Sequence, residues 1–358
     1  MRDSLVPRRS FLLLVAALFA CAKPSTMPSD LSPNPSPAAD PVAIEQDFRA
    51  EAAVTREGRM QRLEDAALPL LRHGTALCGD EVPHYGFRYA SLDEYEDAAE
   101  RDAYSKLFGV LRQPTVIGVT RGGAAERAGL RPGDAIVALD GRRVSPAGAG
   151  LDEIFRRLRF GMAGRSVLVR RGEADVPLEI TPEPACDFPL ELSSSGEINA
   201  AAWGRTITVN TGLMRFIESD RWLQFVIAHE MAHNTMRHLD QMIERTKLDE
   251  MRGYVRDAVE EAAGGVKPLG KFSQDQECEA DYVGMYYLAR AGIDTHGVAG
   301  LWRRMAAENP DGIPRRSNAT HPSYPDRFLH LEAVHDEIVR KLEAGDLLFP
   351  ADSVACRY

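Results

Sequence analysis

Five consecutive residues, His229-Glu230-Met231-Ala232-His233, have the types and spacing for metal-assisted hydrolysis. Two histidines four positions apart leave the same helix face one turn apart, so both imidazoles can reach one ion. Glu230 stands beside them and can reach water held by that ion. Zinc lowers the pKa of such water to about 7, and a neighbouring carboxylate can take its proton as hydroxide attacks a carbonyl carbon. The same carboxylate can then protonate a departing amine. Positioning these groups requires a helix. Trp222, Phe225, Val226, His229, Glu230, His233, Met236 and Leu239 recur with the period of a buried one running from Trp222 to Met242.

A catalytic ion also needs a third protein ligand and an open position. The metzincin arrangement would place a glycine at 236 and a histidine at 239, where this chain has Met236 and Leu239. His238 follows His229 by nine residues, about 900° of helical rotation, which puts it on the opposite side with a structural role expected. The third ligand must come from farther down the chain, where Gln276 to Gly284 reads as a second helix.

The ordered set His229-Glu230-x-x-His233 and Glu277-x-x-Ala280-Asp281 resembles the gluzincin family that contains the CAAX prenyl protease and HtpX-like peptidases. Asn199-Ala200 and the run Thr206 to Leu213 match the same family's approach to the metal helix, so the resemblance covers about Ile198 to Arg327. It implies one zinc per chain, with Glu277 as third ligand, Asp281 orienting a ligating histidine and Glu279 pointing away. It also implies that Thr206, Ile207, Thr208 and Val209, with Asn199, form the edge along which an extended polypeptide substrate pairs. Thr320-His321-Pro322 and Arg327 resemble an element of the soluble, periplasmic branch. They place His321 near the zinc, either contacting transition-state charge or filling the open position; the alternative is a loop histidine without metal contact. Membrane members of the family carry transmembrane helices, whereas Gln241 to Gln276 here is charged, so their substrates do not carry over.

A different texture occupies Ala103 to Pro184, with short β runs at Val116 to Val119, Ala135 to Leu139, Ser166 to Val169 and Val176 to Ile180. With the segment Gly122 to Asp134 and the Asp140-Gly141 turn, it resembles a PDZ domain. The resemblance makes Leu151 to Phe160 the helix beside a peptide groove and Phe108-Gly109-Val110 the loop that receives a terminal carboxylate. Such a groove adds an extended peptide to a sheet edge. A PDZ domain that only packs on the core is the alternative.

The N-terminus has Arg2, Arg8 and Arg9 before an apolar stretch from Phe11 to Ala20, the pattern of a secretory signal. Leu18-Phe19-Ala20-Cys21 resembles a bacterial lipobox. Its implications are lipidation of Cys21, a membrane partner through that lipid and, with Ala22 next, the periplasmic face of the outer membrane. An ordinary signal peptide is the alternative. Ala22 to Pro41 is rich in Pro, Ser, Ala and Asp, too poor in apolar groups to offset the entropy of ordering. As a polyproline II tether it would reach on the order of 60 Å. Residues Ala43 to Leu71 then read as helical, with Ile44, Phe48, Met60, Leu63, Ala67 and Leu70 on the apolar face. In an oxidising compartment Cys78 and Cys186, which bracket the PDZ region, are a plausible disulfide because the ends of such a domain lie close together. Cys278 and Cys356 stay unassigned.

The chain has 358 residues, 44% of them hydrophobic, and a formal charge of −10. That is enough for a sizeable core, and its sign argues against a nucleic-acid partner. The expected class is α+β: a mainly helical zincin core with a small antiparallel sheet, plus a β-rich PDZ domain. Its divisions are 1–20 signal, 21–42 lipidated Cys and tether, 43–102 N-terminal helical segment, 103–184 PDZ and 185–358 metallopeptidase core. The function that fits is zinc endopeptidase action on unfolded or misassembled envelope proteins, with peptide termini at the PDZ groove. The rival is an interaction or chaperone-like lipoprotein with a latent or structural zinc.

Overall fold

The structure, a computed structural model, describes residues 40–146, 148–159, 161–250, 272–314 and 321–351. The signal, Cys21, the tether to Ala39, Thr320 and Cys356 lie outside these residues. Helix α1 (Pro41–His73) begins the described chain and its second half supplies the core, with Leu63, Ala67 and Leu70 fully buried. Its first half does not fulfil the expected face, for Phe48 is exposed. Among the described residues no helix is long and apolar enough to cross a membrane.

Strands β1 (Glu81–His84) and β8 (Glu183–Cys186) pair antiparallel, with Glu81 opposite Cys186. Everything between them forms an inserted lobe. Its sheet has the order β2 (Phe87–Ala90), β3 (Thr115–Val119), β4 (Ala135–Leu139), β6 (Arg165–Arg171), β7 (Ala174–Ile180), with β5 (Arg142–Arg143) on β4. Helix α2 (Ala98–Phe108) connects β2 to β3, starting at Asp97, whose carboxylate accepts from the Glu100 amide at 2.8 Å, and ending at left-handed Gly109. Helix α3 (Gly148–Leu158) lies between β5 and β6. The lobe therefore begins near Phe87 rather than at 103, because its edge strand comes from before α2.

Cys78 and Cys186 form a disulfide at the root of the lobe. Cys278 is also disulfide-bonded. The Cys78–Cys186 bond closes a separation of 108 residues, and in the chain-entropy account such a loop contributes about 4 to 5 kcal/mol. The double variant Cys78→Ser/Cys186→Ser is therefore expected to unfold on the order of 10 °C lower in a thermal melt. A shift within 2 °C or so would show that the β1–β8 ribbon holds the root unaided.

The metal-bearing body has a three-stranded sheet, β10 (Ala200–Trp203), β11 (Thr206–Asn210), β9 (Leu190–Ser193), in that order. β11 pairs antiparallel with β10 and parallel with β9, so it is the central strand. This corrects the expectation for Thr206, Ile207, Thr208 and Val209: their backbone groups are engaged on both sides. Among the described residues the unpaired edge on the side of the helix that carries His229 belongs to β10, which follows Asn199. Helices α4 (Asp220–Thr235), α5 (His238–Glu250), α6 (Gln274–Arg290), α7 (Gly300–Glu308) and α8 (Pro325–Ala344) complete the body. β10 packs beside α4, and α6 packs against both α4 and α8.

Candidate metal centre

The site rests on the close approach of α4 and α6. A Cβ at Gly284 would lie 3.2 Å from the His229 amide nitrogen and 3.3 Å from the Ala228 carbonyl carbon, so the two backbones nearly touch there. Ala280, one turn earlier, is fully buried at the same seam. Ser273 caps α6, its hydroxyl accepting from the Gln276 amide while the Gln276 side chain accepts from the Ser273 amide. Glu277 thus projects from the first turn and Asp281 from the next, both towards α4.

His229, His233, Glu277 and His321 each offer one ligand atom, and these atoms all lie within 4.8 Å of one another. The Nε2 atoms of His229 and His233 are 3.1 Å apart, and Glu277 lies 3.5 Å from the first and 3.7 Å from the second. His321 Nδ1 lies 3.0 Å from both oxygens of Glu277. Two nitrogen ligands on one tetrahedral zinc would be about 3.3 Å apart, so the donor spacing fits such an ion.

The outer ring nitrogens fix which atoms face inward. His229 Nδ1 lies 3.0 Å from Asp281 Oδ1. His233 Nδ1 lies 2.8 Å from His238 Nδ1, and His238 Nε2 lies 2.9 Å from Glu279 Oε2. Both expectations for this second chain are corrected. Glu279 turns towards the site, and His238 is on the same side as His233. The reason is local: α4 ends at Thr235 with Met236 as its cap, Arg237 adopts φ +55°, and His238 opens a new helix, so rotation counted along a single helix does not apply.

Burial alone would depress the His229 imidazole, but contacts with Asp281 and Glu277 outweigh it and push its pKa up to about 9. An ion held by the inner nitrogen would take the place of that proton, so metal uptake would release protons. Burial drives the His233 pKa well below its ordinary value, which keeps the ring neutral and its lone pair available. Burial would raise Glu277, yet His321 and Arg327 hold it well below the carboxylate range. Arg327 is wholly buried, with Nε and Nη2 each 2.7 Å from Asp281, Nη1 2.8 Å from Glu277 and 2.8 Å from the Pro322 carbonyl. It touches ligand and ligand-orienting groups rather than an open cleft.

Glu230 is separate from the donor set. Burial raises its pKa, and its Oε2 is buried with no hydrogen-bond partner among the described residues. Oε1 lies 3.6 Å from His321 Nε2. The sequence singled out His229, Glu230, His233, Glu277, Asp281, His321 and Arg327, and the structure brings them together. It does not place β11 at an open edge, and the histidine-carboxylate chain from His233 through His238 to Glu279 was missed.

The inserted lobe corrects a further assignment. Gly109 ends α2, and Val110 is fully buried in a cluster with Tyr104 and Ala90. Phe108-Gly109-Val110 therefore offers no receptor for a carboxylate. Among the described residues β2 and β7 are the edge strands of the lobe's sheet, and Tyr89 on β2 donates to the Leu151 carbonyl of α3 at 3.4 Å, setting strand and helix side by side.

Fold and donor set together give a body able to hold a metal ion and, inserted in it, a β-rich lobe. Residues 174–335 match Peptidase family M48, and residues 115–170 match the PDZ domain. The chain is thus similar to that peptidase family over residues 174–335 and to PDZ domains over residues 115–170. It is 30% identical over 151 residues to "Mitochondrial metalloendopeptidase OMA1" of Schizosaccharomyces pombe, covering 40% of this chain and 45% of that protein. It is 25% identical over 154 residues to "Beta-barrel assembly-enhancing protease" of Yersinia pestis, covering 38% and 32%. With the protein of that name from Escherichia coli (strain K12) it shares 30% identity over 133 residues, covering 31% and 26%. The chain thus spans less than half the length of these relatives.

Proposed function

We propose that this protein is a zinc metalloendopeptidase of the cell envelope that hydrolyses peptide bonds in unfolded or misassembled proteins. The observation that carries the reading is the unpartnered, buried Glu230 oxygen beside a four-donor cluster, since a purely structural ion has no use for such a carboxylate. His229, His233 and Glu277 would hold the zinc. When bound, it supplies Lewis acidity that makes water nucleophilic near neutral pH and polarises the scissile carbonyl. Glu230 takes the proton of the attacking water. Its raised affinity for that proton suits it to carry the proton to the departing amine. Asp281 orients His229, and the open edge of β10 offers backbone groups to an extended substrate.

His321 belongs to the donor cluster and supports a second state, in which its imidazole closes the fourth position and the enzyme rests. The names of the relatives, which include a protease of β-barrel assembly, agree with substrates of the envelope. Export and Cys21 lipidation supply the location. The PDZ domain binds polypeptide chain ends.

The reading is tested on the zinc-loaded protein with unfolded casein, with and without a chelator. Cleavage that stops on chelation and returns with zinc is expected. Zinc-loaded protein that leaves casein intact would favour the interaction or chaperone-like role.

A further inference from the structure

The two candidate ligand rings of α4 are held from behind in different ways. His229 Nδ1 faces a carboxylate directly, 3.0 Å from Asp281 Oδ1. That carboxylate is also gripped by the Arg327 fork, with Nε and Nη2 each at 2.7 Å, so its negative charge is largely cancelled where it stands. His233 Nδ1 instead faces a second ring, His238, at 2.8 Å, and the far nitrogen of that ring lies 2.9 Å from Glu279 Oε2. Among the described residues no lysine or arginine pairs with Glu279, whose ion-pair partner is His238. Its charge is not cancelled locally.

Once His233 offers its inner nitrogen to an ion, the protons behind it have one consistent arrangement. His233 turns Nε2 inward, 3.1 Å from His229 Nε2. A neutral ring with a lone pair on that atom carries its single proton on Nδ1. His233 Nδ1 therefore donates to a bare Nδ1 of His238. A His238 ring with one proton then carries it on Nε2, where it donates to the Glu279 carboxylate. Both hydrogen bonds point away from the donor cluster, and a carboxylate ends the chain. Bonds in series polarise one another, so electron density is pushed back towards His233 Nε2. Little water reaches the rings to screen this. His238 is wholly buried, and the Phe272 ring stacks on His233 with centroids 3.9 Å apart. Glu279 keeps 32% of its side chain exposed, so water solvates the carboxylate end of the chain.

We propose that His238 and Glu279 are positioning residues for the metal, and that this relayed chain, rather than the direct Asp281 contact, supplies negative charge to a ligating ring. His238 transmits the charge of Glu279 to His233 and fixes the tautomer that leaves its inner lone pair free. Arg327 leaves Asp281 chiefly an orienting role at His229. The inference rests on the reading of His229, His233 and Glu277 as zinc ligands, and it does not depend on hydrolysis.

The test is zinc affinity of the full chain, measured by competition with a chromophoric chelator. Glu279→Gln keeps an oxygen that can accept from His238 and removes the charge. It is expected to weaken zinc binding about tenfold, and Glu279→Ala, which also loses the acceptor, towards about 100-fold. His238→Asn puts a side-chain oxygen where the ring Nδ1 stood but has no second atom to reach Glu279. In that background Glu279→Gln should change zinc affinity by no more than about twofold, since the two residues act in series. Long-range proton–nitrogen NMR correlations of the zinc-loaded protein should show the His238 proton on Nε2, a signature that packing alone does not dictate. A tenfold loss that persists in the His238→Asn background overturns the relay, because Glu279 then acts without the ring. Wild-type zinc affinity in Glu279→Gln overturns the supply of charge. A His238 proton on Nδ1 overturns the direction of the chain. Should His238→Asn fail to fold, the partly exposed Glu279 variants and the spectrum still decide. Affinity is read without substrate, so a failure here is distinct from a failure to cleave casein.

Discussion

Glu230→Gln should lower casein hydrolysis by about 10² to 10⁴-fold, the usual worth of a positioned general base, while zinc content stays at the wild-type level. The carboxamide matches the carboxylate in shape, so α4 keeps its packing and His229 and His233 keep their positions. Glu230 lies outside the four-donor set, so its charge is not what holds the ion. What is lost is proton acceptance at a buried oxygen that no other group engages. Neighbouring candidates cannot replace it: Glu277 is committed to His321 and Arg327, and Asp281 to His229 and Arg327. Retained hydrolysis in the variant, with zinc bound, would refute Glu230 as the base. Loss of hydrolysis together with loss of zinc would show instead that it helps to hold the metal, and binding and rate measured on the same sample separate the two.

What was legible in the sequence follows the range of the interactions involved. The His229 to His233 spacing fixes two rings on one helix face through local geometry alone, and the Glu277 to Asp281 spacing fixes a second face in the same way. The β runs of the PDZ domain were also visible, and β4 falls on Ala135–Leu139 as expected. Non-local features were harder. Apolar alternation in Thr206 to Val209 marks a strand but says nothing about its neighbours, and two strands had already taken its edges. β2 sits before α2, so no continuous stretch reveals that it completes the lobe's sheet. At Arg237 a single left-handed residue ends the helical register. The periodic pattern runs on across this break because Leu239 is apolar, so His238 was assigned to the wrong side. The turn at Tyr85 and Gly86 needs the Ala125 and Thr120 amides, 40 and 34 residues onward, to hold its carbonyls.

Arg327→Met should destabilise the metal-free protein by about 3 to 5 kcal/mol, because it leaves two buried carboxylates without their cation. The methionine side chain can retain part of the stack on Trp302, whose ring centre lies 3.7 Å from the guanidinium carbon. It cannot replace the fork on Asp281, the contact with Glu277 or the bond to the Pro322 carbonyl that ties the His321 segment to α8. Arg327→Lys should rescue little, since one ammonium cannot reproduce the planar, two-point contact. Zinc changes the size of the loss. A dication beside Glu277 restores part of the missing positive charge, so the deficit in melting temperature, on the order of 10 °C in chelator, should shrink when zinc is added. A deficit equal in both conditions would mean that Arg327 acts through packing and the Pro322 tie alone. A deficit that grows with zinc would mean that the variant has lost the ligand geometry itself, which a lowered zinc affinity in chelator competition would register independently.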